Sequence, residues 1–440
     1  MTKHFAGAKI RTLRRQHELT QTDMAARLGM STSYLNQLEN DQRPLTVAVL
    51  LSLTGTFDVD TSFFSGDREA ATVAELAEAF PLVPGTELAD LAARYPTLVD
   101  DLLTRTRETT GDGLNPYERV RDYFFDARNY IHELDTAAEE LAGSLGRQQF
   151  RVSRLAALFD EKFGVTVRFH GPTDGPRRHF DHLNRELTLR TGLTEAQQCF
   201  QLALQYALTR HRDLLGELSA MLPDDGSRDL AALGLAQYFA GAVTMPYTEF
   251  LDYAEQVRYD IDLVAERFGT SFESTCHRLS TLQRPGSRGV PLFFIRTDRA
   301  GNISKRQSAT RFHFSRRGGS CPLWVLHRAF ETPSRITRQV AAMPDGHHYL
   351  WVARYVSGAT SGFGRPRKEF AVALGCDLDQ AHRLIYSDGL ELTSQAATPI
   401  GPGCTACPRT SCPQRAFPAT GHGIGVDFNV SHEAPYVTGS

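Results

Sequence analysis

Residues 19–45 read LTQTDMAARLGMSTSYLNQLENDQRPL, and the cap and turn residues in this stretch specify a local architecture. Thr20 with Asp23 three positions on has the form of a capping box, opening a helix whose buried stripe is Met24, Ala25 and Leu28. Gly29 stands where a left-handed turn would stop that helix. Ser31 is placed to cap the next helix, in which Leu35 and Leu38 point inward. Upstream, GAKIRTLRRQHE (7–18) puts Ile10 and Leu13 on one helical face. Downstream, PLTVAVLLSLTGTF (44–57) has Thr46 as N-cap and a strongly apolar face. Two short capped helices joined by a tight glycine turn and enclosed by two others predict a helix-turn-helix.

The outward positions of the third helix carry the chemistry. Thr32, Ser33, Tyr34, Asn36 and Gln37 are polar, uncharged hydrogen-bonders near its N-terminal end. Asn and Gln can read adenine edges bidentately, while hydroxyls such as that of Ser31 and helix N-termini hold phosphates. Gln21, opening the second helix, and Arg43, following the third, are expected to clamp the DNA backbone. Lys3, Lys9, Arg11, Arg14 and Arg15 against only Glu18 add a local basic patch, whose alternative reading is a solvated helix face. The stretch resembles the Xre/phage-repressor type of helix-turn-helix through its Gln, its Ala, its Gly turn and the LNQLEN segment.

A chain of 440 residues is too long for one core. Its net charge of −3 excludes a generally nucleic-acid-coated protein, so the basic patch reads as a small module attached to something else. No apolar run approaches the ~18 residues of a membrane helix, and the N-terminus lacks the apolar centre of a secretory signal. The expected location is the cytoplasm, with no membrane partner. There, clustered cysteines bind metal more often than they form disulfides.

Residues 67–115 read as a helical linker, broken at PLVPG, RYP and TTGDGLNP. YERVRDYFFDARNYIHELDTAAEELAGSL predicts one amphipathic helix over 117–145, with Tyr123, Phe124, Tyr130, Ile131 and Leu134 on its packed side. RVSRLAALFDEKFGVTVRFH then reads helix and strand, RHFDHLNRELTLR strand-turn-strand, and TEAQQCFQLALQYALTRHRDLL a second long helix. This order, with YFAGAVTMPYTEF and FGTSFESTCHRLSTL, resembles the ImmA/IrrE-like metallopeptidase fold. Active members of that fold carry H-E-x-x-H on the long helix, two imidazoles one turn apart on zinc with a Glu base. Here the corresponding helix reads FQLALQYAL. His17, His132 and His432 each precede a Glu, yet none is followed by His at the required spacing. The resemblance therefore implies a fold that keeps its cleft without peptidase chemistry, with His211 left as a lone structural or solvent-facing imidazole.

In the next segment PLFFIRTD reads as a strand, RAGN as a turn, and the following residues as a strand ending in a glycine-rich loop. Arg296, Lys305, Arg306, Arg311, Arg316 and Arg317 could face phosphates there, with Phe293, Phe294, Phe312 and Phe314 nearby for adenine or an acyl chain. The alternative is a basic strand with its hydrophobic side in the core.

GPGCTACPRTSCPQRAFP (401–418) gathers Cys404, Cys407 and Cys412 in C-x2-C-x4-C spacing among small residues that let the backbone aim N–H groups at sulfurs. Three close thiols followed by Pro, plus one distant thiol, point to iron–sulfur ligation, with zinc or reactive thiols as the alternatives. The fourth ligand is expected to be Cys376 in FAVALGCDLDQAH, with Cys321 in RRGGSCPLW as the other candidate. Cys199 and Cys276 read as buried small apolar residues.

Taken together, SYLNQLENDQRPLTVAVLL, RDYFFDARNYIHELDTAAEEL, RTDRAGNISKRQSA, GGSCPLW, ALGCDLDQAH and CTACPRTSCPQRAFP resemble the short-chain fatty acyl-CoA transcriptional regulators of actinobacteria and proteobacteria. The resemblance implies regulation of acetate, propionate or glyoxylate-bypass genes, CoA or a short-chain acyl-CoA as effector, and a 4Fe–4S cluster in the C-terminal domain. The expected fold is mainly α with α+β parts. Its divisions are a helix-turn-helix over 1–66, the linker over 67–115, an ImmA/IrrE-like α+β domain over 116–290, and an α+β iron–sulfur domain over 291–440. On this reading Cys376, Cys404, Cys407 and Cys412 hold the metal, and Arg296, Lys305, Arg306 and Arg311 meet the effector. The protein is then a homodimer on palindromic promoter DNA and no enzyme, with helix 117–145 and the linker as coupling elements. Its rivals are a DNA-tethered ImmA-like metallopeptidase and a ligand-free phage-type repressor. The tail HGIGVDFNVSHEAPYVTGS is expected to be a mobile end.

Overall fold

Each cap expected between residues 19 and 46 is made in the computed structural model of the chain. It describes residues 6–57 (save 18 and 41), 72–109 (save 74, 77–78, 81–82 and 84), 115–171, 175–308, 320–358, 363–364, 367–409, 412–418, 424–426, 429–430 and 437–438. The helices are α1 (Gly7–Gln16), α2 (Gln21–Arg27), α3 (Thr32–Glu39) and α4 (Val47–Phe57). The Thr20 hydroxyl accepts from the Asp23 N–H while the Asp23 carboxylate accepts from the Thr20 N–H, closing the box. Gly29 has φ +67°, Ser31 Oγ accepts from Tyr34 N at 3.2 Å, and Thr46 Oγ1 from Val49 N at 3.3 Å. With its ends satisfied locally, the bundle closes on Ile10, Leu13, Met24, Ala25, Leu35, Leu38 and Leu53. Two further helices, α5 (Gly85–Arg94) and α6 (Pro96–Thr109), bury Leu88, Val99 and Leu103 together with Leu76.

Chain contacts separate this N-terminal unit, which also takes the described residues after 416, from a second unit built on the described residues 115–308 and 320–416. The second unit opens with α7 (Pro116–Asp126) and α8 (His132–Leu145). The single helix expected over 117–145 is thus two. Arg128 (φ 50°) and Asn129 (φ 56°) enter the left-handed region, and Asn129 N donates to Phe124 O at 2.7 Å, which turns the chain. Asn tolerates that conformation better than most residues. The same corner recurs at Arg258 (φ 52°) and Tyr259 (φ 59°), where Tyr259 N donates to Ala254 O at 2.7 Å.

Next come α9 (Arg151–Phe163), β1 (Thr166–Gly171), β2 (Arg178–Asp181), β3 (Glu186–Arg190), α10 (Glu195–Arg210), α11 (Arg212–Ser219) and α12 (Asp225–Thr244). The expected helix 194–215 is broken at His211, which separates α10 from α11. The small sheet runs β1-β3-β2, with β1 parallel to β3. These elements share one core that includes Leu134, Phe159, Leu202 and Phe239.

A second core lies beneath a six-stranded sheet of order β5-β4-β8-β7-β6-β9. Its strands are β4 (Phe293–Thr297), β5 (Ile303–Ser308), β6 (Thr337–Ala342), β7 (His348–Ser357), β8 (Glu369–Asp377) and β9 (Thr398–Pro399). Helices α13 (Tyr247–Gln256), α14 (Ile261–Phe268) and α15 (Phe272–Leu279) cover the face bearing Phe294, Val340, Leu350, Val352, Val372, Leu374 and Cys376. The opposite face carries Phe293, Trp351 and Gly375, with short α16 (Val325–Arg328) and Trp324 against it. Gly375 lies directly across from both Phe293 and Trp351, whose rings are 4.4 Å apart between centroids. A Cβ on Gly375 would fall inside the Phe293 ring. Gly375→Ala is therefore expected to destabilise this unit by about 1–3 kcal/mol, the usual cost of overpacking, read as a lowered urea midpoint. An unchanged midpoint would mean that Phe293 moves aside freely.

The two cores are joined by buried charge. Asp135 on α8 is 0% exposed and accepts from both Arg278 terminal nitrogens at 2.9 Å and from the Tyr238 hydroxyl. Arg278, on α15 and 3% exposed, also donates through Nε to Met245 O at 3.0 Å. Arg284 extends the cluster to Glu139 at 2.8 Å and lies over the Tyr247 ring, 4.1 Å from its centroid. The tail expected to be a mobile end pairs with itself, Ile424 opposite Thr438 and Gly425 opposite Val437.

Candidate functional site

On the helix-turn-helix, Thr32, Ser33 and Asn36 are exposed and Tyr34 and Gln37 half-buried, so the polar face of α3 is presented outward. Ser31 is exposed, with its hydroxyl oxygen spent on the cap. Arg43 is exposed beyond α3, its guanidinium 5.5 Å from the Tyr34 ring centroid. Beneath this face lies a lock that the sequence reading missed. Glu39, only 2% exposed, accepts from Arg14 Nε at 2.6 Å and from Gln21 Nε2 at 2.7 Å. Arg11 donates to Glu39 O at 2.8 Å at the C-terminal end of α3. Hydrogen bonding to Glu39 holds the Arg14 guanidinium above its usual range, ahead of the opposing effect of burial.

This arrangement divides the expected DNA-facing residues. Arg11 and Arg14 brace α3 and are not simply a basic patch. Gln21 turns its amide nitrogen toward α3, also reaching Asn36 Oδ1 at 3.3 Å, instead of extending as a free clamp. Its backbone N–H remains at the N-terminus of α2, where helix geometry leaves the first donors open. Asn36 Oδ1 also accepts from Asn40 Nδ2 at 2.9 Å, so bidentate reading of adenine requires one of these contacts to open.

On α10, Gln201 and Gln205 lie one turn apart and are both buried, the spacing at which a zinc peptidase places two imidazoles. Gln205 Nε2 donates to Thr209 Oγ1 at 3.1 Å. Neutral amides in these places do not make a zinc seat. His211 packs on Phe239 and Tyr206, with ring centroids 5.0 and 5.8 Å away, and burial lowers its pKa, consistent with a structural imidazole. A cavity of about 700 Å³ opens between α10, α11 and α12, lined by Leu208, Arg212, Leu215, Arg228 and Leu233. None of the expected effector residues lines it.

The cysteines do not assemble as expected. Cys376 faces the second core among Leu350, Val372 and Leu374, and burial pushes its thiol far up. Cys321 and the 401–416 loop lie off the strands, and Cys321 precedes Trp324, which packs on Trp351 of the other face. Gln339, across from Trp351, donates to Leu323 O at 2.9 Å, and Ile400 N donates to Ala342 O at 2.9 Å. Sheet parity thus separates Cys376 from the C-x2-C pair and brings Cys321 to it. The Cys321 thiol is raised chiefly by burial. It receives the Leu323 and Gly401 N–H groups and lies near Cys407 and Cys404. Ala416 N donates to Cys404 Sγ at 3.5 Å, and a Cβ on Gly401 would stand 2.6 Å from Cys407 Sγ. Arg415 braces the loop by donating to Cys404 O and Cys407 O, each at 3.0 Å. Among the described residues no three Cys, His, Asp or Glu side chains converge to metal-binding distance. The donor set itself, thiols receiving backbone N–H groups beside a glycine with no side chain in the way, suits a sulfide-bridged iron centre. Cys199 and Cys276 are buried, and burial raises both thiols, Cys199 to about 11.

The basic strand also divides. Arg296 pairs with Glu273 at 2.6 Å, donates to Ser304 Oγ at 2.9 Å and lies 4.4 Å from the Phe370 ring centroid. Lys305 is across from Arg296 on the same face, whereas Arg306, across from Ile295, belongs to the other. Phe294 accompanies Lys305, and Phe293 is turned to Trp351. Arg311, Arg316, Arg317, Phe312 and Phe314 lie outside the described residues.

An outward polar recognition helix on a locked helix-turn-helix, joined in one chain to a peptidase-like helix without zinc ligands, defines a DNA-binding regulator. Comparison with known proteins agrees. Residues 10–64 match a helix-turn-helix family, 160–280 the IrrE N-terminal-like domain, and 281–436 the C-terminal region of the short-chain fatty acyl coenzyme A regulators. The HTH-type transcriptional regulator PrpR of Mycobacterium tuberculosis is 46% identical over 99% of this chain and 96% of its own length. RamB, an HTH-type transcriptional regulator of the same organism, is 43% identical over 99% of each chain. The propionyl-CoA carboxylase regulator of Cereibacter sphaeroides is 39% identical over 99% and 98%. A solved Mycobacterium tuberculosis transcriptional regulator superposes with a TM-score of 0.71 at 50% identity, covering 73% of this chain and 99% of that one. The chain belongs to the short-chain fatty acyl coenzyme A regulator family. Among the described residues no helix is long and apolar enough to cross a membrane.

Proposed function

We propose that this chain is a sequence-specific transcriptional regulator of acetate, propionate or glyoxylate metabolism, modulated by CoA or a short-chain acyl-CoA and carrying a 4Fe–4S cluster. The observation that carries the DNA half is the exposed face of Thr32, Ser33 and Asn36 on a helix whose underside is locked through Glu39. A homodimer on a palindromic site follows from the symmetry such modules use. The effector half draws on the relatives' names and on the Arg296–Lys305 face with Phe294 and Phe370. Cys321, Cys404, Cys407 and Cys412 would hold the cluster, which supplies a redox-active centre that ties the 401–416 loop to the sheet.

Asn36→Ala with Gln37→Ala is expected to weaken operator binding while sparing non-specific binding. Each lost base contact costs about 1–3 kcal/mol, roughly fivefold to 150-fold. Mobility shifts on operator and scrambled DNA measure it, and unchanged specific binding would move base reading off α3. Titrating acetyl-CoA and propionyl-CoA into the same assay tests the effector. A ligand shifts promoter affinity only as far as it prefers one dimer geometry. No shift with any CoA ester leaves a ligand-free repressor.

A further inference from the structure

Lys305 has an environment that a structural lysine does not need. It is half-buried on β5, across from Arg296 on the face looking onto α15. Arg296 takes the nearby carboxylate, Glu273, at 2.6 Å. Among the described residues the Lys305 side chain makes no hydrogen bond or ion pair, and its nitrogen lies 6.0 Å from the Phe294 ring centroid. His277, from α15, packs on the same ring at 5.5 Å between centroids. A lysine kept for packing usually extends its head to water or pairs it with an acid. Burial pushes the Lys305 amine down to about 8, with Glu273 opposing and Arg296 assisting. His277 is held neutral by burial and by the charges of Lys305, Arg278 and Arg296. At pH 7 about a tenth of this amine is unprotonated, far more than for an ordinary lysine, and it stands on an aromatic floor beside Arg296, whose own charge is met by Glu273.

We propose that Lys305 is a covalent acylation site that takes its acyl group from a short-chain acyl thioester. The proposal rests on the acyl-CoA reading for its donor. The Lys305 nitrogen attacks the thioester carbonyl carbon, the C–S bond breaks, and CoA leaves as thiolate. The proton lost from nitrogen ends on that sulfur, so the products are an Nε-acyl amide and free CoA thiol. The amide removes a cation beside Arg296 and leaves the acyl chain near Phe294, turning reversible occupancy into a lasting mark.

The test incubates the full chain with propionyl-CoA, removes the ligand, and maps propionylated peptides by mass spectrometry. The chain has five lysines, Lys3, Lys9, Lys162, Lys305 and Lys368, so four comparators are built in. Labelling at Lys305 is expected to be roughly tenfold or more faster than at the other four. Lys305→Arg, with an unchanged circular dichroism melt, should lose that label alone. A parallel arm measures calorimetric binding of a thioether analogue of propionyl-CoA, which cannot transfer its acyl group. If the analogue binds and Lys305 is unlabelled, or labelled no faster than the rest, the acylation proposal is overturned and the effector reading stands. Selective labelling without analogue binding supports the acylation and overturns the effector reading. Absence of both overturns both.

Discussion

Asp135→Ala is expected to lower the stability of the second unit by about 3–5 kcal/mol, measured by urea unfolding of the full chain. The carboxylate is fully buried and receives both terminal nitrogens of Arg278 and the Tyr238 hydroxyl. Removing it strands a guanidinium that is 3% exposed, between the rings of Tyr238 and Tyr247 at 5.8 and 5.7 Å. The remaining partners, Met245 O and Thr281 Oγ1, are neutral and do not replace the lost charge. Arg278→Met in the Asp135→Ala background removes the stranded cation and should recover part of the loss. That recovery separates an orphaned charge from a mere cavity. If the double variant is as unstable as the sum of the singles, the ion pair is not the source. The consequence reaches beyond stability, because Asp135 belongs to the helix pair of the first core and Arg278 to a helix of the second. The pair therefore ties that helix pair to the helices that cover the six-stranded sheet.

Features set by neighbours in sequence were legible, and those set by distant partners were not. Thr20 with Asp23, Gly29, Ser31 and Thr46 act within four residues of themselves, so their roles follow from spacing alone. The break between α7 and α8 was hidden because Tyr130, Ile131 and Leu134 continue the apolar pattern across Arg128 and Asn129. Only Asn129 hinted at a left-handed corner. Glu39 reads as a surface residue of LNQLEN until Arg14, twenty-five positions earlier, and Gln21 are seen to meet it. Asp135 and Arg278 are 143 positions apart, beyond any local pattern. The face that Cys376 takes is hidden for a different reason. In FAVALGC every residue from Ala371 to Cys376 is buried, so no polar alternation marks which side chains share a face.

That face assignment gives the second large effect. Cys321→Ser is expected to abolish iron binding by anaerobically purified protein, while Cys376→Ser leaves iron content and visible colour intact. Cys376 shares its face with Val372 and Leu374, and its cross-strand partner Leu350 lies in the same core. A serine there costs some packing but removes no ligand. Cys321 receives N–H groups from Leu323 and Gly401 and lies within electrostatic reach of Cys407 and Cys404. Arg415 holds the carbonyls of that pair, so the loop is already shaped around its sulfurs before a metal ties it to Cys321. Iron, sulfide and zinc analysis alongside the absorption spectrum reads the outcome directly. Zinc in place of iron would change the identity of the centre yet keep its dependence on Cys321. Loss of metal from Cys376→Ser with retention in Cys321→Ser would place the fourth sulfur on the helix-covered face and overturn the parity argument.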